Sequence, residues 1–372
     1  MSYALTTLWH ERQRYLPGVL AVAFSALLIA LQCGLLLGLF SITSIPIDHS
    51  RAHIWLGSAE VLSVDLGRPI PTTFMTRLAS EPEVEPPEMF IQGFSIWTKP
   101  TGGSDLCIVI GTRLDDDALG YVKELTPELR ALLTEPGAIV VDESEISRLG
   151  LKHGVGETAE IGGHRVRVVG VVKGLKSMAG PYVFCSIRTA RPLLRMSDSQ
   201  ATFLLARCKN PEDAPKVVER LRGYTNMSTF TSDDFSFRSR KHWLLKTKAG
   251  IALGYAALLG LLVGGVVTSQ TLYAATAASL REYAVLRALG IPRWRMALMV
   301  LSQSFWVGLI GTALSIPAAF ALGEAADWVG ARVMLPPWLL GSAAAITMLM
   351  AMLSGMAALR SLRLVEPAIL LR

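Results

Sequence analysis

Four long stretches without an aspartate, glutamate, lysine or arginine constrain the fold of this chain more than any other feature. Each exceeds the roughly 20 apolar residues that a helix needs to cross the hydrocarbon core of a bilayer. A helix in a soluble core seldom runs so long without a charge, so we interpret the stretches as transmembrane helices. Their predicted bounds are residues 17–40, 249–278, 296–323 and 336–359.

The composition agrees with a membrane protein and argues against nucleic-acid binding. Of the 372 residues, 51% are hydrophobic and 18% are charged, whereas soluble proteins carry about 25% charged residues. The net charge is +6, but most of the excess lies in arginines that flank the transmembrane stretches. We therefore expect this charge to face membrane lipids and not nucleic acids.

The arginines of the short segments predict the orientation of the chain. One side of the membrane carries nine of them, and the loop between the third and fourth helices carries only Arg332. Positively charged loops remain in the cytoplasm, so both termini are predicted to be cytoplasmic. Basic residues at 238–248 lie on the outer side, but long domains translocate largely regardless of charge. The nine are Arg12, Arg14, Arg281, Arg287, Arg293, Arg295, Arg360, Arg363 and Arg372.

The segments outside the membrane differ in length and in pattern. Residues 1–16 have apolar side chains on one helical face and are predicted to form an amphipathic helix at the membrane surface. Residues 41–248 are predicted to form an α+β periplasmic core domain, with an inserted, mostly β subdomain at about 113–198. Residues 279–295 are assigned to a cytoplasmic coupling helix and loop, and residues 360–372 to a cytoplasmic tail.

Apolar runs predict the strands and helices of the periplasmic domain. Predicted strands are residues 59–66, 89–97, 106–112, 138–141, 158–161, 166–172, 182–187, 202–208 and 227–231. Predicted helices are residues 72–79 and 214–221. The segments 41–57 and 233–248 join this domain to the membrane, and we interpret them as two force-transmitting stalks.

The sequence has no motif that indicates an enzyme, a cofactor or a metal site. It contains no phosphate-binding GxxxxGK[ST] loop, no HExxH and no CxxC, so we assign any ATP hydrolysis to a partner chain. His49 and His53 are one helical turn apart and near Asp48. A metal site needs more ligands than these, and solvated stalk histidines are more common, so we expect no metal.

The transmembrane stretches contain no carboxylate, histidine, lysine or arginine. Ion-coupled carriers generally place one of these groups inside the membrane, because moving an ion or a proton requires it. We therefore expect that this chain is not an ion-coupled carrier and that no polar solute passes through its four helices. The energy for any transport must come from outside the membrane segment.

Four glycines of the second transmembrane helix lie on one helical face. Glycines arranged in this way let a second helix approach closely, and a symmetric homodimer is the simplest such contact. The alternative is that glycine is simply common in membrane helices. The four are Gly250, Gly254, Gly260 and Gly264.

The cytoplasmic segment after this helix is the most informative part of the sequence. It reads Ser-Leu-Arg-Glu-Tyr-Ala-Val-Leu-Arg-Ala-Leu-Gly over residues 279–290, and Gly290 followed by Pro292 is typical of a helix end. Apolar side chains lie on two sides of this helix, so one side can rest on the membrane domain while the other needs a partner protein. The predicted contact residues are Arg281, Glu282, Val285, Leu286, Arg287, Leu289 and Gly290.

This segment resembles the coupling segment of the FtsX/MacB-type ABC transporter permeases, which reads similar to S-x-R-E-x-A-x-L-R-A-L-G. Residues 365–372 are similar to the closing (D/E)PA…LR motif of the same family. Residues 136–150, 156–162 and 168–172 resemble the MacB-type periplasmic core. The run Gly-Pro-Tyr-Val-Phe at 180–184 is similar to the DevC-like branch of the family.

The resemblance implies a non-catalytic permease that forms a homodimer and binds a separate ABC ATPase. In DevC-like and MacB-type systems the periplasmic domain works with an HlyD-like periplasmic adaptor and a TolC-like outer-membrane duct. The implied function is export of a lipid, a glycolipid or another amphipathic cargo. Two alternatives stay open: FtsX-like signalling to cell-wall hydrolases without cargo, and release of lipoproteins as in the LolC/LolE pair.

The orientation can be tested by cysteine-accessibility labelling of the full chain in intact cells. A cysteine at Ser104 should react with a membrane-impermeant reagent, and a cysteine at Arg293 should react only after the membrane is opened, because the arginine bias places them on opposite sides. The reverse pattern would refute the predicted topology.

Overall fold

The structure, a computed structural model, describes residues 12–246, 248–278, 285, 289–328 and 332–364. The helices of this part of the chain are α1 (Arg12–Ile42), α2 (Ile45–Asp48), α3 (Met75–Ala79), α4 (Pro127–Leu132), α5 (Ile187–Leu194), α6 (Ala214–Leu221), α7 (Ser232–Lys246), α8 (Lys248–Ala278), α9 (Arg293–Trp328) and α10 (Pro337–Leu364). The strands are β1 (Ile54–Ser58), β2 (Ile70–Pro71), β3 (Glu88–Thr98), β4 (Ser104–Thr112), β5 (Ala138–Asp142), β6 (Thr158–Ile161), β7 (His164–Val172), β8 (Tyr182–Ser186), β9 (Gln200–Ala201), β10 (Phe203–Ala206) and β11 (Met227–Thr231).

The chain divides into a helical unit and a mixed unit. The helical unit comprises Met1–Gly38 and Lys248–Arg372, and the mixed unit comprises Leu39–Thr247. Four helices of the described residues are long and apolar enough to cross a membrane. Their spans are Tyr15–Ile42, Gly250–Thr271, Trp294–Ala326 and Pro337–Met356.

Close helix packing in the helical unit depends on small residues. α9 packs against α10, and α10 packs against α8. A Cβ added at Gly355 would lie only 2.3 Å from Ser304 Oγ, and a Cβ added at Gly311 would lie 2.8 Å from Val22. Ser25 on α1 also donates a hydrogen bond to the Gly264 carbonyl of α8 at 2.9 Å. Small side chains and hydrogen bonds of this kind replace the hydrophobic effect as the cause of helix association in lipid.

The two ends of the helical unit lie partly outside the described residues. The predicted amphipathic helix at 1–16 is described only from Arg12, where α1 begins, and α1 continues through Pro17 to Ile42 without a break. Of the predicted tail at 360–372, α10 includes the residues up to Leu364, and the remainder lies outside the described residues.

A nine-stranded sheet organises the mixed unit, in the order β11-β1-β10-β3-β4-β8-β5-β7-β6. The first four strands come from the two flanking blocks of the sequence and are antiparallel. β3 is the longest strand, and it pairs with β10 at Phe90–Phe203 and with β4 along most of its length. β3 therefore joins the flanking layer to the rest of the sheet.

Six strands of this sheet close into a small barrel, because β6 pairs back onto β3 through Trp97–Ile161 and Thr98–Glu160. The barrel order is β3-β4-β8-β5-β7-β6, with parallel pairs β4–β8 and β5–β7. Four of the six strands belong to the segment 113–198, which the sequence analysis assigned to an inserted subdomain. The insertion thus shares two strands with the flanking block and does not form a sheet of its own.

The two faces of the barrel strands contribute to two hydrophobic cores. One core contains Trp97, Val109, Ile139 and Val183, and α5 adds Leu193 to it. Cys107 and Cys185 are also buried there as free thiols, and burial raises the pKa of Cys107 to about 12. The other core joins the barrel strands to the flanking layer, where Trp55 contacts Phe90 and Phe203 edge to face at 5.1 and 5.6 Å.

Most strands and helices predicted for the mixed unit are confirmed. The strands at 158–161 and 227–231 and the helix at 214–221 have the predicted bounds. The predicted strand at 59–66 is wrong, because the strand is Ile54–Ser58 and residues Val64–Leu66 form a 3₁₀ helix. Ile54, Trp55 and Leu56 are buried on both faces of the sheet, so this strand has no apolar–polar alternation that a sequence pattern would reveal.

Gly111 on β4 provides a test of the packing between the barrel and α5. An added Cβ would lie 2.3 Å from Ala190 Cβ, whereas at Gly93 on β3 it would lie 3.1 Å from the flexible end of Leu194. We expect Gly111→Ala to lower the free energy of unfolding by about 1–3 kcal/mol, and Gly93→Ala to have a smaller effect. Thermal unfolding of the full chain in detergent, followed by circular dichroism, measures both. Equal stability of the two variants would contradict the packing.

Candidate coupling sites

The predicted ATPase contact lies only in part within the described residues. Arg281, Glu282, Leu286 and Arg287 lie outside them. Leu289 N donates to the Val285 carbonyl at 3.0 Å, which is one helical turn, and Gly290 follows with a φ of 86°. A left-handed glycine directly after a helical turn is the usual helix C-cap. The φ of Gly290 agrees with the C-cap that the sequence predicts at this residue, while most of the segment before it lies outside the described residues.

The described side chains of this segment are apolar and exposed. Val285 is 49% exposed and Leu289 is 74% exposed. Trp294, at the start of α9, is also exposed, and the guanidinium of Arg295 lies 5.3 Å from its ring centroid. Apolar and basic side chains at the end of a candidate membrane span can contact either lipid headgroups or a partner protein.

A second site lies in the mixed unit, where the two predicted stalks meet. Asp48 ends α2, and its Oδ2 accepts hydrogen bonds from Ser44 Oγ at 2.6 Å and from Arg240 Nη2 on α7. Its other oxygen accepts from Ser236 Oγ at 2.6 Å, and Arg240 Nε donates to Ser44 Oγ at 2.8 Å. We call these four residues the stalk junction. Charge-assisted bonds of this kind are stronger and more directional than neutral ones.

α7 is also fixed to the segment after β1. Val64 N donates to Ser239 Oγ at 3.1 Å, and Arg238 Nε donates to the Val61 carbonyl at 2.8 Å. This Arg238 contact and the Arg240 contacts of the stalk junction engage two of the basic residues that the positive-inside rule left on the outer side. The sequence analysis did not identify the stalk junction, although opposite charges on the two stalks were the available signal.

The two stalk histidines point to different partners. His49 Nδ1 lies 2.7 Å from Glu124 Oε1, and His53 Nδ1 accepts a hydrogen bond from Cys208 N at 3.2 Å. In the part of the chain that the structure describes, no three or more histidine, cysteine or acidic side chains are grouped to hold a metal ion. The histidine spacing therefore does not correspond to a shared site.

The glycines of α8 do not all face the same surroundings. A Cβ added at Gly260 would lie 3.2 Å from Gln32, and one at Gly264 would lie 3.1 Å from Ser25, so both glycines pack against α1 of the same chain. A Cβ at Gly254 would meet no atom within 4 Å. Gly254 therefore remains available for a contact with another helix.

Two family models match the chain. The model described as MacB-like periplasmic core domain matches residues 19–224, which is more than half of the chain, and the model described as FtsX-like permease C-terminal matches residues 254–367. Comparison with curated proteins finds no match.

Solved structures of two extracytoplasmic regions are similar to parts of this chain. The periplasmic region of MacB from Actinobacillus actinomycetemcomitans is 15% identical, with a TM-score of 0.35, over 51% of this chain and 94% of its own. The extracellular domain of the noncanonic ABC-type transporter YknZ from Gram-positive bacteria is 10% identical, with a TM-score of 0.33, over 48% of this chain and 98% of its own.

The four apolar helices and the two family matches define a multi-pass membrane protein with a periplasmic α/β domain. The chain belongs to the FtsX/MacB-type permeases of ABC transporters. Members of this family are the permease components and work with an ABC ATPase. The resemblance noted from the coupling segment is therefore confirmed at the level of the family.

An experiment can distinguish the roles of Gly254 and Gly264. If the predicted homodimer forms through this open face, Gly254→Leu should weaken it at least about tenfold, because a bulky residue would block close helix approach. Gly264→Leu should instead disturb the packing of α8 on α1 within one chain, and it should lower the thermal stability of the protein. Single-molecule photobleaching in lipid vesicles and thermal unfolding in detergent measure the two effects. If Gly254→Leu dimerises like the unmodified chain, this face is not the dimer contact.

Proposed function

We propose that this chain is the permease subunit of an ABC-type exporter and transmits ATP-driven motion from a separate cytoplasmic ATPase to its periplasmic unit. The observation that carries this proposal is the stalk junction. Asp48 and Ser44 follow the first transmembrane helix, and Arg240 and Ser236 precede the second. Because these hydrogen bonds join the two stalks, a force applied to either stalk would act on both of them.

The cytoplasmic end of this path is the segment 279–295. We infer that the ATPase binds its exposed apolar side, represented by Val285 and Leu289, with Arg281, Glu282 and Arg287 as polar anchors and Leu286 and Gly290 completing the contact. Burying a leucine side chain contributes about 1.5–3 kcal/mol. The family membership supports this assignment, because permeases of this class work with an ABC ATPase.

We further propose a homodimer in a bacterial inner membrane with cytoplasmic termini. The open surface at Gly254 supports a helix contact between two copies, while Gly260 and Gly264 hold α8 against α1, and Gly250 lies on the same predicted face. The nine-to-one distribution of arginines supports the orientation.

On the periplasmic side we propose an HlyD-like adaptor and a TolC-like duct, as in the DevC-like branch. Cargo would enter from the periplasm or the outer leaflet, because the transmembrane stretches carry no carboxylate, histidine, lysine or arginine for a polar solute. A lipid, a glycolipid or another amphipathic molecule fits this route best.

The proposal predicts two separable defects in the dimer reconstituted with its ATPase. Leu289→Asp and Glu282→Ala should lower ATPase association roughly tenfold or more and abolish permease-stimulated ATP hydrolysis. Arg240→Ala should leave association unchanged but abolish the ATP-dependent change in distance between spin labels at Ser104 of the two copies. Lys241→Ala is the matched control, since this exposed residue lies beside Arg240 on α7.

The outcomes that oppose the proposal are equally specific. If Leu289→Asp binds and stimulates the ATPase like the unmodified chain, the coupling assignment must be abandoned. If Arg240→Ala retains the ATP-dependent distance change, the stalk junction does not transmit motion.

A further inference from the structure

A buried carboxyl group lies where four elements of the mixed unit meet. Asp65 belongs to the 3₁₀ turn Val64–Leu66 and is 5% exposed. Its Oδ1 accepts a hydrogen bond from Gln92 Nε2 of β3 at 3.0 Å and a longer one from Tyr182 Oη of β8 at 3.4 Å. The third neighbouring group is the indole of Trp243 on α7. The Asp65 carboxyl thus has neighbours on β3, which belongs to both the flanking layer and the barrel, on β8 of the barrel and on the stalk helix α7.

The residues next to Asp65 hold α7 in place. Ser63 Oγ accepts a hydrogen bond from Trp243 Nε1 at 3.2 Å, and Val64 N donates to Ser239 Oγ at 3.1 Å. Ser63 and Val64 therefore contact the stalk helix, and Asp65 follows them directly in the chain. A change in the charge of Asp65 would act on this contact through the adjoining backbone.

The surroundings of Asp65 oppose its ionisation. Burial raises the pKa of its carboxyl to about 7, although the three neutral donors Tyr182, Gln92 and Trp243 lower it in part. Burial and the neighbouring Asp65 raise the pKa of Tyr182 well above its usual value, so this hydroxyl stays a donor throughout the physiological range.

The charged groups of the surrounding elements engage other partners. On α7, Arg238 bonds to the Val61 carbonyl, Arg240 bonds to Asp48, and Lys241 is exposed. The pKa of His242 is lowered by burial and by Lys246 and Arg238. On β3, Glu88 accepts hydrogen bonds from the backbone N–H groups of Leu119 and Gly120. None of these is a cause of the raised pKa of Asp65.

We propose that Asp65, Gln92, Tyr182 and Trp243 form a proton-sensitive latch, which fixes α7 on the periplasmic unit when Asp65 is neutral and loosens it when Asp65 ionises. The latch makes the mechanical coupling of the permease dependent on the pH outside the cytoplasm. This regulatory role rests on the proposed function, since it acts on the stalk that carries the motion.

The direction of the effect follows from linkage between protonation and opening. A carboxyl whose pKa is higher in the closed state than in the open state favours closure at low pH, and this preference is lost as the pH rises toward and past about 7. With an ordinary aspartate pKa in the open state, the opening equilibrium of α7 increases about tenfold between about pH 6 and about pH 8.5.

Hydrogen exchange measured by mass spectrometry on the full chain in lipid nanodiscs tests the latch without the ATPase. After correction for intrinsic rates, amides of α7 in the unmodified chain should exchange about tenfold faster at the higher pH. Asp65→Asn mimics the neutral acid and should keep the low-pH protection at both values. Tyr182→Phe removes a donor to the carboxylate and should move the midpoint to higher pH.

Glu88→Gln is the matched control, because Glu88 is also a buried carboxyl with a raised pKa but holds the loop at Leu119 and Gly120 instead of α7. It should retain the pH dependence of the unmodified chain. An unmodified chain whose α7 exchange does not change with pH, or an Asp65→Asn variant with the same pH dependence, would overturn the latch.

A second readout separates the latch from the proposed function. With the ATPase bound, the ATP-dependent distance change at Ser104 should be full at about pH 6 and reduced at about pH 8.5, and Asp65→Asn should restore it at the higher pH. If the Ser104 distance does not change with ATP at either pH, motion transmission is refuted. The hydrogen-exchange result then still decides whether the latch exists. A pH-independent distance change would refute only the regulatory role.

Discussion

The need to satisfy every backbone hydrogen bond inside hydrocarbon determines how this chain is divided. Only the uncharged stretches can lie in the membrane, and there each N–H and C=O group must bond within its own helix. Every strand of the described residues accordingly falls within Leu39–Thr247. Association of the membrane helices then depends on small residues such as Gly311 and Gly355, because lipid provides no hydrophobic driving force between them.

Within the mixed unit, β3 has the corresponding organising role. Its first residues pair with β10, its length pairs with β4, and its last residues pair with β6. One strand therefore belongs both to the flanking layer and to the closed barrel. This arrangement connects the barrel to the flanking layer through a continuous run of backbone hydrogen bonds.

The stalks combine two kinds of polar contact with different physical consequences. The stalk junction pairs Asp48 with Arg240 at partial exposure, where the charge-assisted hydrogen bonds fix the geometry of the contact but the ion pair adds little stability. Asp65 lies deeper, among neutral donors, and no cation of the described residues pairs with it, so burial raises the pKa of its carboxyl to about 7. The first contact joins the stalks to each other, and the second joins one stalk to the sheet.

The sequence by itself determined the membrane stretches and most strands of the mixed unit, because these depend on local composition and periodicity. It misplaced the first strand, since Ile54, Trp55 and Leu56 are buried on both faces and show no alternation. Only the tertiary structure decided that β6 closes onto β3, that Gly260 and Gly264 face α1, and that Asp48 meets Arg240. These contacts join residues far apart in the chain, and the side-chain geometry that selects them exists only after the elements have packed.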